Sequence, residues 1–73
     1  MLRDFPTLAH QSATLRKLRL DLGVSQAFLA TVVHVNTRSW QKWEAGERSM
    51  HLAFYDLLRR RLIELGYIKP ERT

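Results

Sequence analysis

Cysteine is absent from this chain of 73 residues, so neither a disulfide framework nor a thiolate zinc site can supplement its core. Acidic side chains are scarce, 7 against 12 lysines and arginines, which leaves a net charge of +5. That excess favours a polyanionic partner, because each phosphate neutralised releases condensed counterions. No apolar run approaches the roughly 18 residues of a membrane span. The opening MLRDFPTLAHQS has no signal-peptide core and contains an acid and a proline early, so a cytoplasmic protein is expected. A chain this short builds one small core, near the size at which pairing with a second copy adds needed stability.

Catalytic furniture is missing as well. His10, His34 and His51 share no metal-ligand spacing, and no acid stands at a helical offset that would complete a site. Asp56 and Glu64 lie about two helical turns apart, beyond direct contact. Ser12, Ser25, Ser39 and Ser49 read better as caps and packing residues than as nucleophiles. No enzyme, metal or cofactor is expected.

What the chain does contain is helical periodicity with clear punctuation. Residues 1–10 read as an N-terminal arm, with apolar Leu2, Phe5 and Leu8 and with Thr7 as a capping residue. A first helix is expected from about Ser12, or up to five residues earlier, to Leu22. Leu15, Leu18 and Leu22 form its buried stripe, and Gly23 ends it. Ser25 caps a second helix, in which Leu29, Ala30 and Val33 face inward. His34, Val35 and Asn36 make a corner, Asn36 caps a third helix, and Gly46 stops it. Ser49 is expected to cap a fourth helix over residues 50–65, ended by Gly66, with a polar tail over 67–73. The domain proper is placed at 11–66.

The third helix has two different faces. At roughly 100° per residue, Ser39, Trp40 and Trp43 fall on an apolar side. Thr37, Arg38, Gln41, Lys42 and Ala45 fall on the other, which carries groups of the kind that reach base edges and phosphates. Stacking of the tryptophans on unpaired bases is the weaker reading, because they stand opposite the polar front. Arg59, Arg60 and Arg61 point in different directions on a helix and read as a solvated face.

The segment from Leu15 to Gly46 resembles the Cro/C1-type (XRE-like) helix-turn-helix repressors. The likeness is carried by Leu15-Arg16, Leu18-Arg19, Gly23, Ser25-Gln26, Leu29-Ala30, Val35, Trp40, Trp43-Glu44 and Gly46. The run from Arg38 to Glu44 is also similar to the recognition helix of anti-CRISPR-associated autorepressors. The resemblance implies an all-α, lambda-repressor-like four-helix domain. In it the second helix crosses the DNA backbone and the third enters the major groove. Carried over by position, Thr37, Arg38, Gln41 and Lys42 would read bases or neighbouring phosphates. Gln26, Asn36 and Arg48 would bind phosphate, and Arg19 and Glu44 would form a structural salt bridge.

Three departures from the family pattern stand out. His34 takes the corner position usual for glycine, and His is among the less costly non-glycine residues at positive φ. Phe28 and Val32, at positions usually polar in relatives, make an apolar patch that something must cover. One long fourth helix stands where relatives have two shorter ones. Its apolar positions exceed the arc needed for one small core, so Phe54, Leu58, Leu62 and Tyr67 are expected, with Phe28 and Val32, to meet a partner. The expected function is a dimeric autorepressor that binds an inverted repeat in double-stranded DNA. The alternative is an antitoxin that represses its operon and binds a toxin protein.

Overall fold

The computed structural model describes residues 8–70. It is all-α across them, with α1 at Leu8–Leu22, α2 at Gln26–Val32, α3 at Thr37–Ala45 and α4 at Leu52–Glu64. Residues 1–7, including Leu2, Phe5 and Thr7 of the expected arm, lie outside the described residues, as do residues 71–73 of the tail. α1 begins at Leu8, within the range expected for its start, so residues 8–10 of the expected arm are helical.

All four helices close in the same way. Gly23, His34, Gly46 and Gly66 each take a positive φ just past a helix end. At the α2 corner, the His34 N–H donates to the Thr31 carbonyl at 3.0 Å and the Val35 N–H to the Ala30 carbonyl at 2.9 Å. That pair of bonds satisfies carbonyls the helix leaves open. His34 is the only non-glycine residue with positive φ among the described residues, at 63°. Glycine at the same point of α3 has a clear reason in the backbone: Gly46 sits at φ 78°, while a Cβ there would meet Ser12 of α1 only in ordinary contact at 3.6 Å.

The helix starts follow their side chains. Ser25 Oγ accepts from the Phe28 N–H at 3.0 Å, and Asn36 Oδ1 accepts from the Ser39 N–H at 2.8 Å. The start of α4 differs from expectation. Its cap is His51, whose Nδ1 accepts from the Ala53 N–H at 3.0 Å, and Ser49 is exposed. The reason lies in Met50. Its side chain is buried and its N–H donates to Gln11 Oε1 of α1 at 3.0 Å, so Met50 anchors the loop and the helix begins after it.

α3 packs against α1 and α2, and α4 packs against α2. Leu15 of α1, Leu29 and Ala30 of α2, Val33 just beyond it, Trp40 and Trp43 of α3, and Leu58 and Leu62 of α4 form one core with Met50. Trp40 is fully buried and meets Trp43 edge-on at 5.8 Å. Burial of a side chain that size contributes on the order of 3 kcal/mol.

The surplus of apolar surface on α4 is largely used within the chain. Leu58 and Leu62 are fully buried, and Phe54 packs on Trp43 with ring centroids 5.5 Å apart. Val32 is buried, and Phe28 is covered by Tyr67, whose ring lies 5.3 Å away. The expectation that Val32, Leu58 and Leu62 face a partner is therefore corrected, because they are buried in this chain's own core, while Phe28 and Phe54 are half-buried and packed against it. The segment after Gly66 turns back over α2, which sequence periodicity could not show. Tyr67 stays partly open at 42% exposure, and Leu20 and Leu65 are the other large exposed apolar side chains among the described residues.

Candidate nucleic-acid interface

The back of α3 is fixed before its front can do anything. Trp40, Trp43 and Glu44 are buried, which sets the rotation of the helix on the domain. The outward residues follow from that rotation at 100° per residue. Arg38, Gln41 and Ala45 are exposed, and Thr37 and Lys42 are half-buried. Arg38, Gln41, Lys42 and Ala45 line one open concavity, with Glu47 at its edge. Of the four expected base-reading residues, Arg38, Gln41 and Lys42 line that concavity together, and Thr37 stands half-buried at the start of α3 outside its lining. Arg48 is exposed just past the helix, and Asn36 is exposed at its start, where its side chain serves as the cap.

Glu44 is the electrostatic centre behind this face. Arg19 holds it through two bonds, Nε to Oε2 at 2.7 Å and a terminal nitrogen to Oε1 at 3.2 Å. The Trp40 indole N–H donates to Oε2 at 2.6 Å, and Gln26 Nε2 donates to Oε1 at 3.2 Å. Burial alone pushes the Glu44 carboxyl upward, but the bonds from Arg19, Trp40 and Gln26 and the arginine charge outweigh it. The carboxyl is held below its ordinary value. The bond to Glu44 likewise raises the Arg19 guanidinium above its usual value. The expected Arg19–Glu44 pair is in place and ties α1 to α3.

Gln26 keeps different company from that expected of a phosphate contact. Its Nε2 is given to Glu44, and its Oε1 accepts from Gln41 Nε2 at 3.3 Å. The side chain is half-buried and bonded to protein at both ends. No short motif signals this arrangement, because Glu44 and Gln41 become its neighbours only when α2 crosses α3.

Other charges are spent locally. Lys17 pairs with Asp21 at 3.0 Å, Arg60 with Asp56 at 4.0 Å and Arg61 with Glu64 at 3.5 Å, all along single helices. Exposed pairs of this kind contribute little to stability. Among the described residues, no three His, Cys, Asp or Glu side chains gather where they could hold a metal ion. No helix among them is long and apolar enough to cross a membrane.

No family model matches the chain, and no solved structure gives a significant match. A type II methyltransferase, M.MspI of Moraxella sp, is 33% identical to it over 48 residues. Those residues make up 66% of this chain and 12% of that protein, so the chain spans about an eighth of the relative it matches.

Proposed function

We propose that this chain is a sequence-specific double-stranded DNA-binding repressor, with α2 and α3 acting as a helix-turn-helix and α3 entering the major groove. One observation carries the reading. The back of α3 is locked by Trp40, Trp43 and the Arg19–Glu44 pair, while Arg38, Gln41 and Lys42 stand outward together, with Thr37 half-buried at the helix start. A rigid helix with an outward row of donors, acceptors and cations fits the major groove in width and chemistry. The family resemblance and the net positive charge support the same reading.

Arg38 reaches guanine or a phosphate, Lys42 and Arg48 meet phosphates, and the Thr37 methyl suits a thymine methyl. Two copies paired with twofold symmetry would require an inverted repeat with half-sites about 10–10.5 bp apart, or a multiple of that spacing. Leu65 and Tyr67, exposed at the end of α4 and just beyond it, are the surface offered for that pairing. Occupying its own promoter makes such a protein an autorepressor, as in the anti-CRISPR-associated group that the run from Arg38 to Glu44 resembles. The likeness to a methyltransferase brings no methyl transfer to this chain, since it spans so small a part of that enzyme. The antitoxin alternative loses its main support, because Phe28 and Val32 are covered from within.

The test is a gel shift on the DNA upstream of the gene, with scrambled competitor, at two salt concentrations. A discrete shift that survives competitor and weakens with salt is expected. Arg38→Ala should weaken specific binding by about 1–3 kcal/mol and relax one base position. Unchanged affinity and preference in that variant would remove α3 as the reading helix.

A further inference from the structure

Gln41 stands on the outward face of α3, yet its amide is not left to rotate. Gln41 Nε2 donates to Gln26 Oε1 at 3.3 Å, and Gln26 Nε2 donates to Glu44 Oε1 at 3.2 Å. The polarity of this chain of bonds is set at its buried end. An ionised carboxylate can only accept, so the end of the Gln26 amide facing Glu44 must be its NH2 group. The Gln26 carbonyl is then turned toward Gln41, and Gln41 must answer with its own NH2. Reversing the Gln41 amide would set two carbonyl oxygens against each other and lose the bond.

The carboxylate is reliably ionised. It is 4% exposed, bonded twice by Arg19 and once by the Trp40 indole, and its carboxyl is held below the ordinary value. A buried charge on α3 therefore dictates, through a glutamine on α2, which way round a surface glutamine on α3 presents itself. What Gln41 keeps for an outside partner is its carbonyl oxygen and its second N–H.

We infer that Gln26 is a positioning residue that fixes Gln41 as a reader of adenine. The inference rests on the DNA-binding reading and extends it to one base. Adenine offers an N6 donor beside an N7 acceptor in the major groove, which matches a carbonyl oxygen beside an N–H. Guanine offers two acceptors there and leaves the Gln41 oxygen facing another oxygen. A free glutamine could turn either way at the cost of ordering its side chain on binding, and the relay removes that choice in advance. Gln26 then acts on preference at one base pair, where a phosphate contact would act on all sequences alike.

The experiment is selection of binding sites from a randomised duplex library by the full chain and by Gln26→Met, Gln41→Ala and the double variant. Methionine keeps the half-buried stem of Gln26 and removes the amide. Wild type should select adenine at one half-site position by about tenfold over guanine, and Gln41→Ala should lose that preference. Gln26→Met should reduce it about three- to tenfold, leave the other positions unchanged, and add nothing in the Gln41→Ala background. If Gln26→Met weakened all sequences equally, or Gln41→Ala kept every preference, the relay would be refuted while DNA binding stood. If wild type enriched no sequence, the DNA-binding reading itself would fall and the adenine assignment with it. The relay also has a readout without DNA, which does not depend on a variant's affinity. The NMR exchange of the Gln41 side-chain amide should be slowed in wild type and quickened by Gln26→Met, and equal exchange in both would overturn it.

Discussion

Glu44 accepts hydrogen bonds from three residues on three different helices: Arg19 of α1, Gln26 of α2 and Trp40 of α3. Removing its carboxylate would leave those donors facing inward with nothing to meet. Glu44→Ala should therefore cost about 3 kcal/mol, more than a surface carboxylate would. The same bonds make stability depend on pH with a definite sign. The folded carboxyl sits below its ordinary value, so as pH falls the unfolded chain takes up its proton first. The contribution of Glu44 is complete above the unfolded value, near ~4.3 for a glutamate, and fades as pH drops through the folded value. Thermal melts from pH 7 to pH 3 should show a falling melting temperature at the acid end. Glu44→Gln should start lower and show a shallower fall, and an identical slope in both proteins would place the acid sensitivity elsewhere.

The helices all end in a left-handed residue, and His34 does the work that glycine does at the other three ends. A side chain with a Cβ in that conformation costs roughly 1–2 kcal/mol, and His34 is exposed, so it has no packing to lose. His34→Gly should raise stability by up to ~1 kcal/mol after the added freedom of the unfolded glycine is counted. Chemical denaturation would show it as a higher midpoint with an unchanged slope, and a lower midpoint would mean that the histidine ring contributes something its exposure hides. The corner was legible because its signals are local: Ser25, Asn36 and the glycines act on backbone within a few residues of themselves. The cap of α4 was not, because it depends on Met50 reaching Gln11 across 39 positions of chain. The apolar excess of α4 was legible as an excess, but not that Leu58 and Leu62 are spent on this chain's own core. The cover for Phe28 comes from Tyr67, beyond a glycine that reads only as a stop. The outward and inward sides of α3 followed from periodicity, whereas the hydrogen-bond partners of Gln26 needed α2 and α3 to be brought together.

For the molecule as a whole, the balance of charge bears on the proposed DNA binding and on how many copies would meet the duplex. Several basic groups are already paired along their own helices, Lys17, Arg60 and Arg61 among them, and Arg19 is held by Glu44. The cations on or just past the outward side of α3 are Arg38, Lys42 and Arg48. Each phosphate neutralised lowers the slope of log affinity against log salt by about 0.9 on duplex DNA. If Arg48 binds one phosphate in each copy, Arg48→Ala should make that slope shallower by about 0.9 for a single bound copy and by about 1.8 for a pair. The base preferences should not change, because a phosphate contact carries no sequence information. Binding titrations of wild type and variant over a range of potassium chloride would measure the difference. A change near the larger value would support two symmetric copies on one inverted repeat, and a change near the smaller would mean one copy per site. No change at all would take Arg48 out of the interface, leaving Lys42 and Arg38 to carry the salt dependence.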